Sequence, residues 1–180
     1  MNGQWRITGD PSRRGFSLLE VSLVAALMSL LMLMLASTWA SFGRSLRDTM
    51  VRCRVAQEAN LVVAALNRDL GGQLPDDLLG HVAAGRMVGT MVVDGEKLMI
   101  CYDGAVPNDV ADWATPDIVC TYELADGKLL RSNQFLGTSV IVSDAVSSFL
   151  PTEVASGLRV EFTVSYRDLS KTFTLIAEEP

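Results

Sequence analysis

The sequence predicts an α+β chain: one long N-terminal α-helix, transmembrane in its first half, packed on an antiparallel β-sheet domain. Three observations predict it. Residues 16–42 are apolar apart from Glu20 and the hydroxyl residues Ser17, Ser22, Ser29, Ser37, Thr38 and Ser41. No proline occurs between Pro11 and Pro75. After Pro75 the apolar period changes from that of a helix to that of a strand, with turn signals between the runs. Helix first and strands afterwards is an α+β order.

The apolar run comes first in the chain. A helix needs about 20 residues to cross the hydrocarbon core, and residues 16–43 suffice. Arg13 and Arg14 precede the run, and Arg44 and Arg47 follow it. Arg6 adds to the first side and Asp48 partly offsets the second. The positive-inside rule then keeps the short N-terminus cytoplasmic and puts the C-terminal domain on the other side of the membrane.

Glu20 does not belong in a generic span. Burying an ionised carboxylate in hydrocarbon costs several kcal/mol unless it is paired. An ordinary secretory signal peptide has no charge in its apolar region either. The glutamate therefore asks for a cationic partner at membrane depth.

From Leu46 the apolar residues Leu46, Met50, Val55, Ala59, Val62, Leu66 and Leu70 recur at helical spacing, with Arg47, Arg54, Glu58 and Arg68 between them. This is an amphipathic continuation. Gly71-Gly72 and Pro75 stop it. A helix from Phe16 to Leu70 is roughly 80 Å long. Arg54–Glu58 and Arg68–Asp69 are read as solvated surface pairs, and Cys53 as a small half-buried hydrophobe.

The expected strands are arranged around hairpin signals. Residues 86–93 and 97–102 flank Asp94-Gly95-Glu96, and residues 118–124 and 128–133 flank Ala125-Asp126-Gly127. Residues 138–142 form a further strand. Leu158, Val160, Phe162, Val164 and Tyr166 alternate with Arg159, Glu161, Thr163, Ser165 and Arg167, so one face is buried. A turn over 167–170 leads into 171–177.

Composition narrows the function classes. The chain has 180 residues, room for one domain plus an appendage, and a formal charge of −6. Residues 75–180 carry sixteen acidic and seven basic side chains. So acidic a body repels phosphate backbones, and no nucleic-acid contact is predicted. Catalysis finds little support: the single histidine, His81, has Asp77 nearby but no second histidine or cysteine to complete a metal set. No nucleophile elbow or phosphate loop is present, so no enzyme activity and no cofactor are predicted.

The stretch Arg13-Arg14-Gly15-Phe16-Ser17-Leu18-Leu19-Glu20-Val21 resembles the cleavage and methylation signature of type IV prepilins and type II secretion pseudopilins. The resemblance is specific over these residues and continues as a pattern through the helix. It implies a type IV pilin-like fold and a short cytoplasmic leader, residues 1–15. A prepilin peptidase would cut after Gly15 and methylate the new N-terminus, Phe16, with Arg13 and Arg14 holding the leader on the cytoplasmic face. Glu20 would serve assembly with other pilin or pseudopilin subunits, meeting the ammonium of Phe16 on a neighbour. Before assembly, that pair could form within one chain, or Glu20 could be protonated.

The resemblance thus implies a minor pilin or minor pseudopilin, somewhat like the J-type pseudopilins in its Leu66-Asn67-Arg68-Asp69-Leu70 helix end. Many such chains have a kinking proline where this one has Ser37, which leaves Gly43 as the weak point. The expected segments are a leader over 1–15, a transmembrane and assembly helix over 16–43, its amphipathic continuation over 44–74 and a periplasmic β-rich domain over 75–180. The competing class is a periplasmic binding module on an uncleaved signal anchor. A conventional signal peptide cut near Thr38-Trp39-Ala40 has too long an apolar region.

Two expectations concern the body. Cys101 and Cys120 lie near strand ends that enclose residues 102–119. A disulfide between them would close that loop, for about 3 kcal/mol, in an oxidising periplasm. The loop holds Asp103, Asn108, Asp109, Asp112 and Asp117. Asp103, Asp109 and Asp112 are a weak calcium candidate, since their spacing matches no defined calcium loop and a solvated polar loop explains them as well. Trp113 reads as a packing plug.

Overall fold

The computed structural model describes residues 17–72, 86–104 and 108–178. The chain divides into two compact units, Met1–Arg47 and Asp48–Pro180. One helix, α1 (Leu18–Leu70), begins in the first and ends in the second.

Within the first unit no described residue is buried. Its polar side chains satisfy themselves: the hydroxyls of Ser22 and Ser37 donate to the carbonyls three residues back, and those of Ser29 and Thr38 to the carbonyls four back, at 2.8–2.9 Å. Hydroxyls bound in this way lose much of their penalty in an apolar surround.

The second unit combines the rest of α1 with two sheets. Strands β1 (Met87–Val93), β2 (Lys97–Tyr102), β3 (Ile118–Ala125), β4 (Lys128–Asn133) and β5 (Thr138–Ser143) form a five-stranded antiparallel meander. Strands β6 (Val146–Val154), β7 (Gly157–Tyr166) and β8 (Leu169–Glu178) form a three-stranded one. Asp126 and Gly127 both take positive φ, 51° and 71°, the two-residue geometry that closes β3 on β4. Gly72, at φ 73°, ends the helix after Gly71 N–H has bonded the Asn67 carbonyl.

The sheet expectations hold with small boundary shifts, and one strand was not expected. β6 contains Pro151, which argues against a central strand. It lies at the edge of its sheet, where proline is tolerated. β6 also packs against β1, β2, β3 and β4, so it joins the two sheets. The core runs from Val55, Ala59, Val62 and Leu66 of α1 into Leu98, Ile100, Tyr122 and Leu129 of one sheet and Phe149, Val160 and Phe162 of the other.

Three expectations are corrected. Leu46 and Met50 are exposed, and so is Cys53, which was expected half-buried, so the buried stripe starts near Val55. Glu58 and Asp69 are not solvated; both are buried, at 4% and 0% exposure. They fall on the same stripe as Val55, Ala59, Val62 and Leu66, which charge alone had placed on the outer face.

The third correction concerns the disulfide. Cys101 and Cys120 are not bridged to each other. The register pairs Cys101 with Val119 and Ile100 with Cys120. Directly paired residues share a sheet face and successive residues alternate, so the two thiols point to opposite faces. Cys101 Sγ donates to Asp117 Oδ2 at 3.4 Å, and Cys120 Sγ accepts from Arg131 Nη2 at 3.4 Å. A maleimide is therefore expected to label exposed Cys53 in the native chain, and buried Cys101 and Cys120 only after denaturation. Counting three labelled thiols under non-reducing denaturation checks this; a count of one would restore the bridge.

Alkali is expected to destabilise this unit. Burial pushes the Cys101 thiol from 9.0 up to about 11. Burial also raises Tyr102 and Tyr122, with the Asp69 charge second. A group whose value is raised on folding contributes stability fully present below its unfolded value and lost as pH rises through the folded one. For Cys101 that window runs from pH 9 to about 11. The melting temperature should thus fall between pH 8.5 and 10.5; an unchanged value would contradict the assignment.

Candidate functional site

The N-terminal end of α1 is built from Ser17 and Glu20. Ser17 N-caps the helix: Glu20 N–H donates to Ser17 Oγ at 3.2 Å, and Ser17 N–H donates back to Glu20 Oε2 at 3.4 Å. The Ser17 carbonyl accepts from Glu20 and Val21 N–H. This reciprocal pair is a capping box, and its S-x-x-E spacing was present in the sequence, though the carboxylate alone drew notice there. The cap gives Glu20 a local role that the sequence reading had missed. It engages one of two oxygens of a group that can accept about four hydrogen bonds, so capacity for a cation remains.

Beyond this end the helix presents Leu23, Leu27, Leu30, Leu31 and Met34 outward, all more than half exposed. Glu20 is the only ionisable side chain from Leu18 to Gly43. Arg44 closes the segment, its Nε donating to the Ala40 carbonyl at 3.4 Å. Among the described residues, α1 is the one helix long and apolar enough to cross a membrane.

The other expected signature residues, Arg13, Arg14, Gly15 and Phe16, lie outside the described residues, as do Asp77 and His81. The acidic loop is described in part. Asp103 accepts the N–H groups of Asn108 and Asp109. Asp117 accepts those of Gly104 and Asp112. Asp109 pairs with Arg86 at 3.4 Å and Asp112 accepts from Asn108 Nδ2. Asp103 is thus spent on the loop's own backbone, Asp109 on Arg86 and Asp112 on the Asn108 amide, and no group of three metal-binding side chains occurs among the described residues. Trp113 lies beside β1: a Cβ added at Gly89 would meet its ring at 3.6 Å, as beside a packing residue.

The model of the family described as the prokaryotic N-terminal methylation motif matches residues 10–36. The chain carries the prepilin-type signature of type IV pilin-like proteins. The match takes in the basic pair, the Gly15–Phe16 junction, the Ser17–Glu20 cap and the start of the apolar helix. No curated protein and no solved structure matches the chain. A prepilin-type motif implies processing by a prepilin peptidase and assembly with other pilins, and it indicates a structural pilin-like subunit. The apolar helix fits an inner-membrane anchor. One long helix packed through its later turns on antiparallel sheets is consistent with a type IV pilin-like fold.

A second constellation holds this pilin-like helix to its sheets. Asp69 Oδ2 accepts Tyr122 OH at 2.6 Å and Arg131 Nε at 2.5 Å, and Oδ1 accepts Arg68 Nε at 3.0 Å. Tyr102 OH donates to the Asp69 carbonyl at 2.7 Å. Burial opposes the charge on Arg131, yet its bond to Asp69 and the neighbouring charges leave the guanidinium raised above its ordinary value. Three turns earlier, Glu58 accepts Ser143 Oγ at 2.7 Å and pairs with Arg54 at 2.8 Å. Two buried carboxylates on one helix face therefore set the register of α1 on β2, β3, β4 and β5, a polar specification that the apolar contacts alone do not supply.

Proposed function

We propose that this chain is a minor pilin or minor pseudopilin, a structural subunit of a type IV pilus or type II secretion pseudopilus. In this reading the leader, residues 1–15, is removed after Gly15 and Phe16 is N-methylated. Residues 16–43 hold the precursor in the inner membrane and then pack in the filament. Residues 44–74 carry the helix as far as Leu70 and lead into a periplasmic body, residues 75–180.

The observation that carries the reading is the methylation motif over residues 10–36, set at the start of a helix whose one ionisable side chain from Leu18 to Gly43 is Glu20. Cleavage frees an ammonium on Phe16. In low dielectric a charge-assisted bond between that ammonium and Glu20 of a neighbour is directional and fixes the axial offset between helices.

Mass spectrometry of the mature N-terminus tests it. A chain beginning at methylated Phe16 is expected in cells with an active prepilin peptidase. One observation favours a second reading, a membrane-anchored periplasmic binding module: the Ser17–Glu20 cap gives the glutamate a use that an uncleaved anchor would share. Recovery of the intact leader in those cells would decide for the anchor.

A further inference from the structure

Two polar levels bracket the apolar part of α1. The later one is built on Trp39, Phe42 and Arg44. Trp39 is 78% exposed and Phe42 56%, with ring centroids 6.4 Å apart. Placed three residues apart on a helix, they share one side of it. Arg44 folds back along the helix: its Nε donates to the Ala40 carbonyl at 3.4 Å. The guanidinium thus lies near the level of Ala40, the residue after Trp39. The earlier level is the cap, where Ser17 and the Glu20 carboxylate gather their polar atoms.

The spacing of the two levels matches a bilayer. The hydrocarbon is about 30 Å thick, or about 20 residues of upright helix. About 20 residues separate Glu20 from Ala40. The full apolar run, Leu18 to Phe42, exceeds the hydrocarbon by roughly 7 Å, so hydropathy alone leaves its depth open. Arginine is costly inside hydrocarbon, and a tryptophan ring with its N–H donor favours the headgroup region. The hydrocarbon therefore ends near Ala40, and its other face falls at Glu20.

We propose that Trp39, Phe42 and Arg44 form an interfacial anchor for phospholipid headgroups on the C-terminal side of the span, and that this anchor holds Glu20 at the opposite headgroup level. The rings sit at the boundary, and the Arg44 amino groups left over by the Ala40 bond face lipid phosphate. Glu20 then stays hydrated while the chain is in the membrane. Its need for a cation arises when the helix leaves the bilayer for a filament. That last step rests on the reading above, whereas the anchor itself holds for a cleaved or an uncleaved chain. A parallel second copy at the same depth is the poorer occupant of the rings, because its own Arg44 would arrive at the same level and like charges would meet.

The experiment uses the full chain in vesicles of phosphatidylcholine and phosphatidylglycerol. Trp5→Phe and Trp113→Phe leave Trp39 as the one indole. Bromine carried on the lipid chains close to the headgroup should quench Trp39 at least about twofold more than bromine near the chain ends. A second chain keeps all three tryptophans and carries Leu19→Cys with Cys53→Ser, labelled at position 19 with a fluorophore. Nitroxide lipids should quench this reporter in the same shallow pattern. Adding Trp39→Leu and Phe42→Leu should at least halve its shallow preference, because the whole apolar run can then tilt into the hydrocarbon. Equal quenching of Trp39 by both bromolipids overturns the proposal, and so does a position 19 reporter that the double substitution leaves unmoved. Quenching of Trp39 by neither bromolipid overturns it too, since a second copy would then cover the ring.

Discussion

Asp69→Ala is expected to cost the β-rich unit about 3–5 kcal/mol, the range for stripping one partner from a buried ion pair. Asp69 is fully buried, and its carboxylate accepts from Tyr122, Arg131 and Arg68. Removing it takes from Arg131, a residue 5% exposed, the carboxylate that accepts from its Nε. For a chain of this size such a loss lowers the melting temperature by roughly 10 °C. Asp69→Asn keeps the shape and one acceptor, so it should fall between wild type and alanine. The double change Asp69→Leu with Arg131→Met should recover much of the loss, because a well-packed apolar pair often replaces a buried ion pair without penalty. Denaturant unfolding of the detergent-solubilised chain measures all four. A loss under about 1 kcal/mol for Asp69→Ala would place the pair among weak surface bridges and remove it as the anchor of α1.

The second large effect concerns Glu20, which has two separable roles. As the third helical residue it closes the cap with Ser17, and glutamine serves a capping box nearly as well. As an anion it is proposed to meet the Phe16 ammonium of a neighbour, and glutamine has no charge. Glu20→Gln and Glu20→Ala are therefore both expected to lower filament incorporation at least about tenfold, while leader removal continues. Ser17→Ala breaks the cap and keeps the charge. It should cost the helix end about 1 kcal/mol, the usual value of an N-cap, and leave incorporation largely intact. Immunoblots of sheared filament against membrane fractions read the outcome. Wild-type incorporation by Glu20→Gln would show that the cap is the glutamate's whole purpose and would end the assembly role.

The N-terminal segment was legible because its signals are local. A continuous apolar run, an acid within it and a Gly-Phe junction after two arginines need no partner to be read, and the motif match over residues 10–36 falls on them. The hairpins were legible for the same reason: Asp126-Gly127 asks for positive φ wherever it occurs, and Asp94-Gly95 does so at the preceding turn. β6 was hidden by Pro151, whose acceptability depends on lying at a sheet edge, a fact of neighbours rather than of sequence.

The cysteines and acids show the same division. Proximity along the chain suggested that Cys101 and Cys120 could bond, but the register of β2 on β3 sends them to opposite faces. Charge suggested that Glu58 and Asp69 face water, but Ser143 and Arg131 wait for them from strands more than sixty residues away. The amino-acid sequence by itself determined the long helix, its membrane-competent half, the prepilin-type signature and most strands, because periodicity and turn chemistry act over a few residues. Only the tertiary structure decided which polar groups are buried and which thiols can meet, because burial and pairing depend on what the rest of the chain brings alongside.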